Sequence, residues 1–175
     1  MRKVGVIGIC LVVLCLLSCE ETAKRTVSPQ QPQLKESLEK ANRYLVNNEE
    51  EEIQYYITRH QLDMVSTGTG LRYQILHHGE GDTVQSGQTV IMDYVLYNIM
   101  GDVVYSSENE GSKSFVVGHG DVESGLDEAV RHLRKGDVAQ VIIPSHLGYG
   151  LLGDQKRIPE RATLVYTLKI LDIKE

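Results

Sequence analysis

The stretch ATLVYTLKILDI, residues Ala162–Ile173, alternates large apolar side chains with polar ones. Successive side chains of a β-strand point to opposite faces of the sheet, so a period of two predicts a strand with one buried face. The buried face would carry Leu164, Tyr166, Leu168 and Ile170, and the opposite face Thr163, Thr167 and Lys169. This stretch therefore predicts a strand that contributes one face to a hydrophobic core.

Other stretches upstream also have the pattern of strands: Leu71–Leu76, Gln88–Ile99, Val103–Tyr105 and Val138–Ile143. Only one short amphipathic segment, Gly125–Leu133, lies among them. Parallel strands need long crossover connections, usually helices, so this scarcity of helices favours antiparallel pairing. We expect an α+β fold, in which a curved antiparallel sheet of about five to six strands packs on one short helix.

A separate N-terminal helix is predicted upstream of the sheet, within a helical segment at residues 34–68. Apolar residues recur there at helical spacing, namely Leu34, Leu38, Ala41 and Leu45, followed by Ile53, Tyr56 and Ile57. This stripe either folds back on the domain or pairs with a second copy of the chain. We predict weak self-association, a homodimer formed through residues 34–60. The acidic run Glu49–Glu52 is interpreted as a solvated face.

The first residues have the pattern of an exported lipoprotein. Arg2 and Lys3 precede an apolar run that ends at Leu17 and is shorter than the roughly 20 residues a transmembrane helix needs. Ser18 before Cys19 resembles the bacterial lipobox, in which the cysteine receives lipid. We expect a signal peptide at residues 1–18 and a lipidated N-terminus and linker at residues 19–33. The lipid anchor would hold the protein in the membrane of the cell envelope, at the outer membrane.

Charge and cysteine content restrict the partners and the chemistry. The chain carries 18 Lys and Arg residues against 24 Asp and Glu residues, a formal net charge of −6. An acidic protein is repelled by a phosphate backbone, so no nucleic-acid partner is expected. All the cysteines lie at or before Cys19, and the scattered histidines form no metal-ligand pattern with carboxylates or cysteines. We therefore expect no disulfide, no metal and no cofactor.

A series of short pieces runs through residues 69–175 in a fixed order. The pieces are Thr69-Gly70-Leu71-Arg72-Tyr73, Gly79-Glu80-Gly81-Asp82, Val90 to Tyr94, Gly101, Ser106-Ser107, Gly125-Leu126-Asp127-Glu128-Ala129, Lys135-Gly136-Asp137, Gly148-Tyr149-Gly150, Ile158-Pro159 and Ala162-Thr163-Leu164-Val165-Tyr166. In order and spacing this region resembles the FKBP-type peptidyl-prolyl cis–trans isomerases. The resemblance implies an FKBP-type domain at residues 69–175 that acts on proline-containing exported polypeptides and assists their folding.

The resemblance also implies which residues form the prolyl-peptide pocket: Tyr94, Tyr105, Val122, Glu123, Leu126, Tyr149, Ile158 and Tyr166. Prolyl isomerisation breaks no covalent bond, because it only twists an amide across a barrier of about 18–20 kcal/mol. A dry aromatic pocket favours the twisted amide, which has less charge separation and needs less solvation. Plain core packing remains the alternative role for Tyr94, Leu126 and Tyr166.

Four positions depart from the pattern of the family. Tyr105 stands at the position of an aspartate, Lys113 at that of a phenylalanine, Glu123 at that of an isoleucine, and Glu160 at that of a second proline. We expect Glu123 to place a carboxylate at the rim of the pocket. A pocket with more charge should desolvate a prolyl amide poorly, so we expect weak or narrow activity. The alternative is a non-catalytic FKBP-like chaperone, or a docking module for a secretion or motility complex.

A narrower resemblance rests on Val104-Tyr105-Ser106-Ser107, Pro144-Ser145-His146, Tyr149-Gly150 and Gly153-Asp154. Behind a lipobox and an acidic helix, these pieces look like the gliding-motility-associated lipoprotein branch of the family. The resemblance names neither the client proteins nor the face of the membrane, periplasmic or external, that the domain occupies.

Overall fold

The computed structural model describes residues 30–175, and the side chains of residues 33–175. In chain order the elements are α1 (Gln30–His60), β1 (Val65–Ser66), β2 (Arg72–His77), β3 (Thr89–Asn98), β4 (Val103–Ser106), α2 (Ser107–Glu110), β5 (Lys113–Val116), α3 (Ser124–Val130), β6 (Val138–Ile143), a 3-10 turn (Ser145–Leu147) and β7 (Leu164–Lys174). The predicted signal peptide, Cys19 and most of the predicted linker lie outside the described residues. None of the helices in the described part is both long enough and apolar enough to cross a membrane.

The strands form one antiparallel sheet in the order β1-β2-β6-β7-β3-β4, and β5 pairs with β3 as well. Strand β7 lies between β6 and β3, with Val165 opposite Ile142 on one side and Tyr97 on the other. The predicted α+β fold with an antiparallel sheet is confirmed. The sheet has seven strands rather than five to six, and the two that the sequence does not indicate are the short strands β1 and β5.

The main core lies between the sheet and α3. Leu126, Ala129 and Val130 of α3 are buried in the same core as the inward face of β7, as the helical spacing of Gly125–Leu133 predicts. That face carries Leu164, Tyr166, Leu168 and Ile170, all at most 1% exposed. The core thus has the composition that the alternation in Ala162–Ile173 predicts.

The second half of α1 packs on the sheet. Residues 42–175 form one compact unit, and Ile53 and Tyr56 are buried there against Ile142 and Val165. Burying a side chain such as Ile53 stabilises the folded state by about 1.5–3 kcal/mol. Residues 42–60 therefore adopt the fold-back alternative of the sequence analysis, and over this half the helix is not separate from the domain.

The acidic run in α1 is only partly solvated, which corrects the interpretation of Glu49–Glu52 as a solvated face. Glu49 is half-buried and bonds to Ser145. The Glu50 carboxylate accepts hydrogen bonds of 2.6 and 2.5 Å from Nη2 of Arg72, a residue that is 6% exposed. Glu51 and Glu52 are exposed. A run of like charges on a helix faces several directions, so only some of its members meet the domain.

The first half of α1 extends beyond the predicted boundaries. The helix begins at Gln30, so the end of the predicted linker at residues 19–33 is helical. The apolar side chains at the start of the predicted stripe remain exposed, with Leu34 59%, Leu38 61% and Leu45 41% accessible. The other end of α1 lies at His60, because Gln61 adopts a left-handed conformation with a φ of 53°.

Candidate functional site

A cavity of about 320 Å³ opens where β3, β4 and β5 meet the loop that follows the 3-10 turn. Its lining residues are Tyr94, Tyr105, Glu110, Lys113, Tyr149, Asp154 and Lys156. Tyr94 and Tyr105 project from neighbouring strands, and Tyr149 is placed opposite them by the loop. The structure therefore brings three of the predicted pocket residues together around one cavity.

The other predicted residues lie behind or beside this lining. Leu126, Ile158 and Tyr166 are at most 3% exposed and belong to the main core. The Tyr166 ring lies 5.9 Å from that of Tyr94, measured between centroids, with 49° between the ring planes. Val122 is half-buried and packs against the same core. For Leu126 the core-packing alternative describes the observed position.

Glu123 makes a contact that the sequence does not indicate. Its side chain is half-buried, and its carboxylate accepts a hydrogen bond from the hydroxyl of the buried Tyr166. Burial raises the pKa of Tyr166 well above its ordinary value, and the Glu123 charge adds to this shift. The hydroxyl is therefore protonated at neutral pH and acts as the donor. Glu123 and Tyr166 together form a polar pair at the inner end of the site.

Asp154 organises the loop beside the cavity, and sequence reasoning gave it no role. Its Oδ2 atom accepts a 2.5 Å hydrogen bond from the Tyr105 hydroxyl. Its Oδ1 atom accepts hydrogen bonds from three backbone N–H groups, those of Lys156, Arg157 and Ile158, at 2.7–2.9 Å. The Gly153-Asp154 pair is a turn signal that could have indicated this role, since aspartate often bonds to backbone a few residues ahead.

The electrostatics of Asp154 follow from these contacts. Burial raises the pKa of the carboxyl, but the hydrogen bonds from Tyr105 and the loop backbone outweigh burial and hold the pKa below its ordinary value. The same bond to Asp154 raises the pKa of Tyr105. At neutral pH the pair is thus a carboxylate that accepts and a phenol that donates, and it ties β4 to the loop.

Two cations lie over the tyrosine rings. Nζ of Lys113 is 5.1 Å from the centroid of the Tyr94 ring, and the guanidinium of Arg157 is 5.0 Å from that of Tyr105. Contacts of this kind stabilise by roughly 0.5–1 kcal/mol at exposed sites. Lys113, which replaces a phenylalanine of the family pattern, therefore still covers an aromatic ring but adds a charge to the cavity.

Tyr149 keeps its proton at neutral pH. Burial raises the pKa of its hydroxyl far above the ordinary value, and the charges of Glu123 and Asp154 act in the same direction. Its neighbour Gly150 has a φ of +61°, a left-handed conformation that glycine adopts without strain. The loop therefore presents a neutral hydroxyl that can donate a hydrogen bond into the cavity.

A model of the family described as FKBP-type peptidyl-prolyl cis-trans isomerase matches residues 81–171, more than half of the chain. The chain belongs to the FKBP-type family. The matched region contains every predicted pocket residue and every residue that lines the 320 Å³ cavity. It does not contain α1, which lies outside the matched residues.

Curated relatives agree with this assignment, and a solved structure shares the fold. The chain is 34% identical over 112 residues to a probable FKBP-type peptidyl-prolyl cis-trans isomerase of Haemophilus influenzae. The aligned region covers 63% of this chain and 46% of the relative. It is 33% identical over 115 residues to FK506-binding protein 1B of Aspergillus fumigatus, covering 61% of this chain and 96% of the relative. A crystal structure of a peptidyl-prolyl cis-trans isomerase from Pseudomonas syringae shares the fold, with a TM-score of 0.66 and 19% identity, over 76% of this chain and 96% of that one.

The relatives differ in length. The chain spans 28–46% of the length of three of the curated relatives that it matches, so the likeness covers less than half of each of those proteins. The fungal binding protein, by contrast, corresponds to the FKBP-type domain over nearly its whole length. An FKBP-like fold is therefore confirmed for the C-terminal part of the chain.

A second, larger cavity of about 740 Å³ lies away from this site. It is lined by the second half of α1 and by the turn after β3, including Tyr55, Arg59 and Met100. None of the predicted pocket residues is among its lining. Tyr94, Tyr105 and Tyr149 line the smaller cavity and not this one.

Proposed function

We propose that the FKBP-type domain is a peptidyl-prolyl cis–trans isomerase with weak activity or narrow substrate choice. The observation that carries this proposal is the arrangement of Tyr94, Tyr105 and Tyr149 around one cavity. The rings supply apolar surface against which a proline ring can pack, and the protonated Tyr149 hydroxyl supplies a donor for a peptide carbonyl. Both stabilise a twisted amide that is partly removed from water.

The charges at the cavity support the narrow substrate choice. Glu110, Lys113, Asp154 and Lys156 are four of its seven lining residues. Charged groups retain water, and retained water stabilises the planar ground state of the amide. We therefore expect a lower rate than a purely aromatic pocket would give, and a dependence on the charge of the residues that flank the proline.

Tyr149→Phe tests the role of the loop hydroxyl. A neutral hydrogen bond contributes about 0.5–1.5 kcal/mol net, so kcat/KM should fall roughly two- to tenfold. The measurement is the rate of a proline-limited refolding reaction at several enzyme concentrations. Tyr44→Phe is the matched control, because Tyr44 lies on α1 and is 65% exposed. Equal rates for the wild type and Tyr149→Phe would remove this hydroxyl from the mechanism.

A non-catalytic module that binds client chains is the second candidate, and the charged lining favours it. The same assay separates the two functions. A wild-type protein that leaves the uncatalysed refolding rate unchanged at micromolar concentration is not a prolyl isomerase. Retained binding of an unfolded, proline-containing chain, measured by titration, would then support the binding module instead.

We further propose that Cys19 carries lipid and tethers the domain to the cell envelope, at the outer membrane. The support is the basic start, the apolar run and the Ser18-Cys19 pair. Cys19→Ala should move essentially all of the protein from the membrane fraction to the soluble fraction, whereas Cys15→Ala, in the apolar run, should not. Membrane association of Cys19→Ala after a high-salt wash would contradict the anchor.

Self-association and motility remain proposals about partners. We infer that residues 34–46 of α1 can pair weakly with a second copy, because Leu34, Leu38 and Val46 expose about half or more of their surface. Sedimentation that shows only monomer at high concentration would contradict this.

Membership of the gliding-motility-associated branch rests on the short pieces around Tyr105 and Tyr149. A deletion strain with normal surface movement would count against a motility role.

A further inference from the structure

Glu49 of α1 reaches into the domain and touches two segments that lead to the site. Its Oε1 atom accepts a 2.6 Å hydrogen bond from the backbone N–H of Ser145 and a 2.8 Å bond from the Thr163 hydroxyl. Its Oε2 atom accepts a 2.9 Å bond from the Ser145 hydroxyl. Ser145 and Thr163 are only 5% and 4% exposed. The carboxylate is therefore a half-buried acceptor that is held by three donors.

From Ser145 the contacts continue directly to Tyr149. The carbonyl of Ser145 accepts hydrogen bonds from the N–H groups of Gly148 at 3.1 Å and Gly150 at 2.9 Å. These two glycines flank Tyr149 on either side, so the backbone position of the tyrosine depends on where Ser145 lies. Glu49 fixes Ser145 at both its N–H and its hydroxyl.

The contact to Thr163 reaches the other side of the site. Thr163 immediately precedes β7, and β7 carries Tyr166, whose ring faces that of Tyr94. The carbonyl of Gly150 also accepts a 2.8 Å bond from Arg161, two residues before Thr163. One carboxylate thus joins the segment that presents Tyr149 to the start of the strand that carries Tyr166.

The helix itself is held in place around Glu49. The neighbouring Glu50 pairs with the buried Arg72 at 2.5 Å, and Ile53 lies one turn further along, 1% exposed against the sheet. These contacts remove the freedom that a single surface side chain would have. Glu49 is therefore positioned by the helix, rather than by the loop it contacts.

We propose that Glu49 is a positioning residue of the FKBP-type site, which sets the Tyr149 loop from outside the region that the family model matches. This inference rests on the proposed prolyl-peptide function of the site. The helix α1 then helps to position the Tyr149 loop as well as extending the domain. Glu49 does not line the cavity and acts only through Ser145 and Thr163.

The test compares three variants on the full chain in proline-limited refolding. Glu49→Ala removes both carboxylate oxygens that accept the bonds from Ser145 and Thr163. It should lower kcat/KM about three- to tenfold, mainly through KM, since the Tyr149 hydroxyl stays intact but is misplaced. Glu49→Gln keeps one oxygen for the two Oε1 donors, and its amide can donate to the Ser145 hydroxyl, so it should stay within about twofold of the wild type. Glu52→Ala, an exposed position on the same helix, should have no effect.

A double variant separates positioning from general loss of stability. If Glu49 acts through the Tyr149 hydroxyl, Glu49→Ala should cost much less in a Tyr149→Phe background than in the wild type. A purely structural role would give the same fold-loss in both backgrounds and would overturn the proposal. Thr163→Val, which keeps the side-chain shape, should give a smaller loss of kcat/KM with the same dependence on the Tyr149 background. It replaces Glu49→Ala in the test if Glu49→Ala does not fold.

A second readout does not depend on activity. The ring resonance of Tyr149, assigned by NMR from its absence in Tyr149→Phe, should shift or broaden in Glu49→Ala and stay unchanged in Glu52→Ala. If the wild type proves inactive, this result still decides whether Glu49 sets the loop. An unchanged Tyr149 resonance in folded Glu49→Ala would overturn the proposal, whatever the function of the site.

Discussion

Glu123→Ile is expected to destabilise the domain by about 1–3 kcal/mol, because it leaves the buried Tyr166 hydroxyl without its acceptor. From the sequence alone, the same substitution is expected to raise activity, since isoleucine removes a charge near the pocket. The geometry shows that the carboxylate satisfies a hydroxyl at the inner end of the site. The loss should appear as a lower midpoint in urea unfolding followed by circular dichroism, with an unchanged slope.

Tyr166→Phe tests whether the loss of stability in Glu123→Ile comes from the Tyr166 hydroxyl. With Phe at 166 there is no hydroxyl to satisfy, so the double variant Glu123→Ile/Tyr166→Phe should recover most of the stability lost in Glu123→Ile. Such a recovery is the coupling that a double-mutant cycle measures. Glu80→Ile, at an exposed loop position, controls for the introduction of isoleucine. Strict additivity of the two substitutions would show that the bond between Glu123 and Tyr166 contributes nothing to stability.

Asp154→Ala is expected to lower kcat/KM in proline-limited refolding at least about tenfold, and to lower the melting temperature as well. The substitution removes the acceptor of three backbone N–H groups and of the Tyr105 hydroxyl at once. Several bonds of about 0.5–1.5 kcal/mol each, lost in one loop, are enough for this effect on a site that needs that loop. The loop also contains Gln155 in a left-handed conformation, with a φ of 59°, which needs support from its surroundings.

The pH dependence provides a separate check on Asp154. Its folded-state pKa lies below the ordinary value, so the bonds to the carboxylate are complete at neutral pH and are lost as the pH falls through that lowered pKa. Activity should therefore hold down to about pH 4 as far as Asp154 is concerned, and fall below it. Asp154→Ala should lose this acid limb. A wild-type profile that already falls between about pH 7 and pH 5 would point to another group.

The strands that were predicted from the sequence are those with a local pattern. Ala162–Ile173 alternates for long enough to specify its own buried face, and the structure buries the predicted residues there. The sequence does not decide whether α1 folds back, because an apolar stripe shows that a helix needs a partner but does not say which one. Ile53 and Tyr56 pack on the sheet, whereas Leu34 and Leu38 remain exposed.

The polar organisation of the site had no such local signal. Glu49 bonds to Thr163, 114 positions later, and Glu123 to Tyr166, 43 positions later. Hydrogen bonds between distant residues leave no periodicity, so each residue looks like an ordinary surface charge until the fold places it. The family pattern supplied the positions of Tyr94, Tyr105 and Tyr149, but not the hydrogen bond from Tyr105 to Asp154 or the bonds from Ser145 to Glu49.

The place of β7 in the sheet has a consequence for how the domain forms. Strand β7 is the last strand of the fold in chain order, yet it lies between β6 and β3 and pairs with both along most of its length. Until Leu164–Lys174 is available, the β2–β6 pair and the β3 group have no shared neighbour, and α3 has only part of the surface it packs on. Pairing between strands far apart in the sequence slows folding relative to local pairing. The two parts of the sheet can therefore join only once Leu164–Lys174 lies between them.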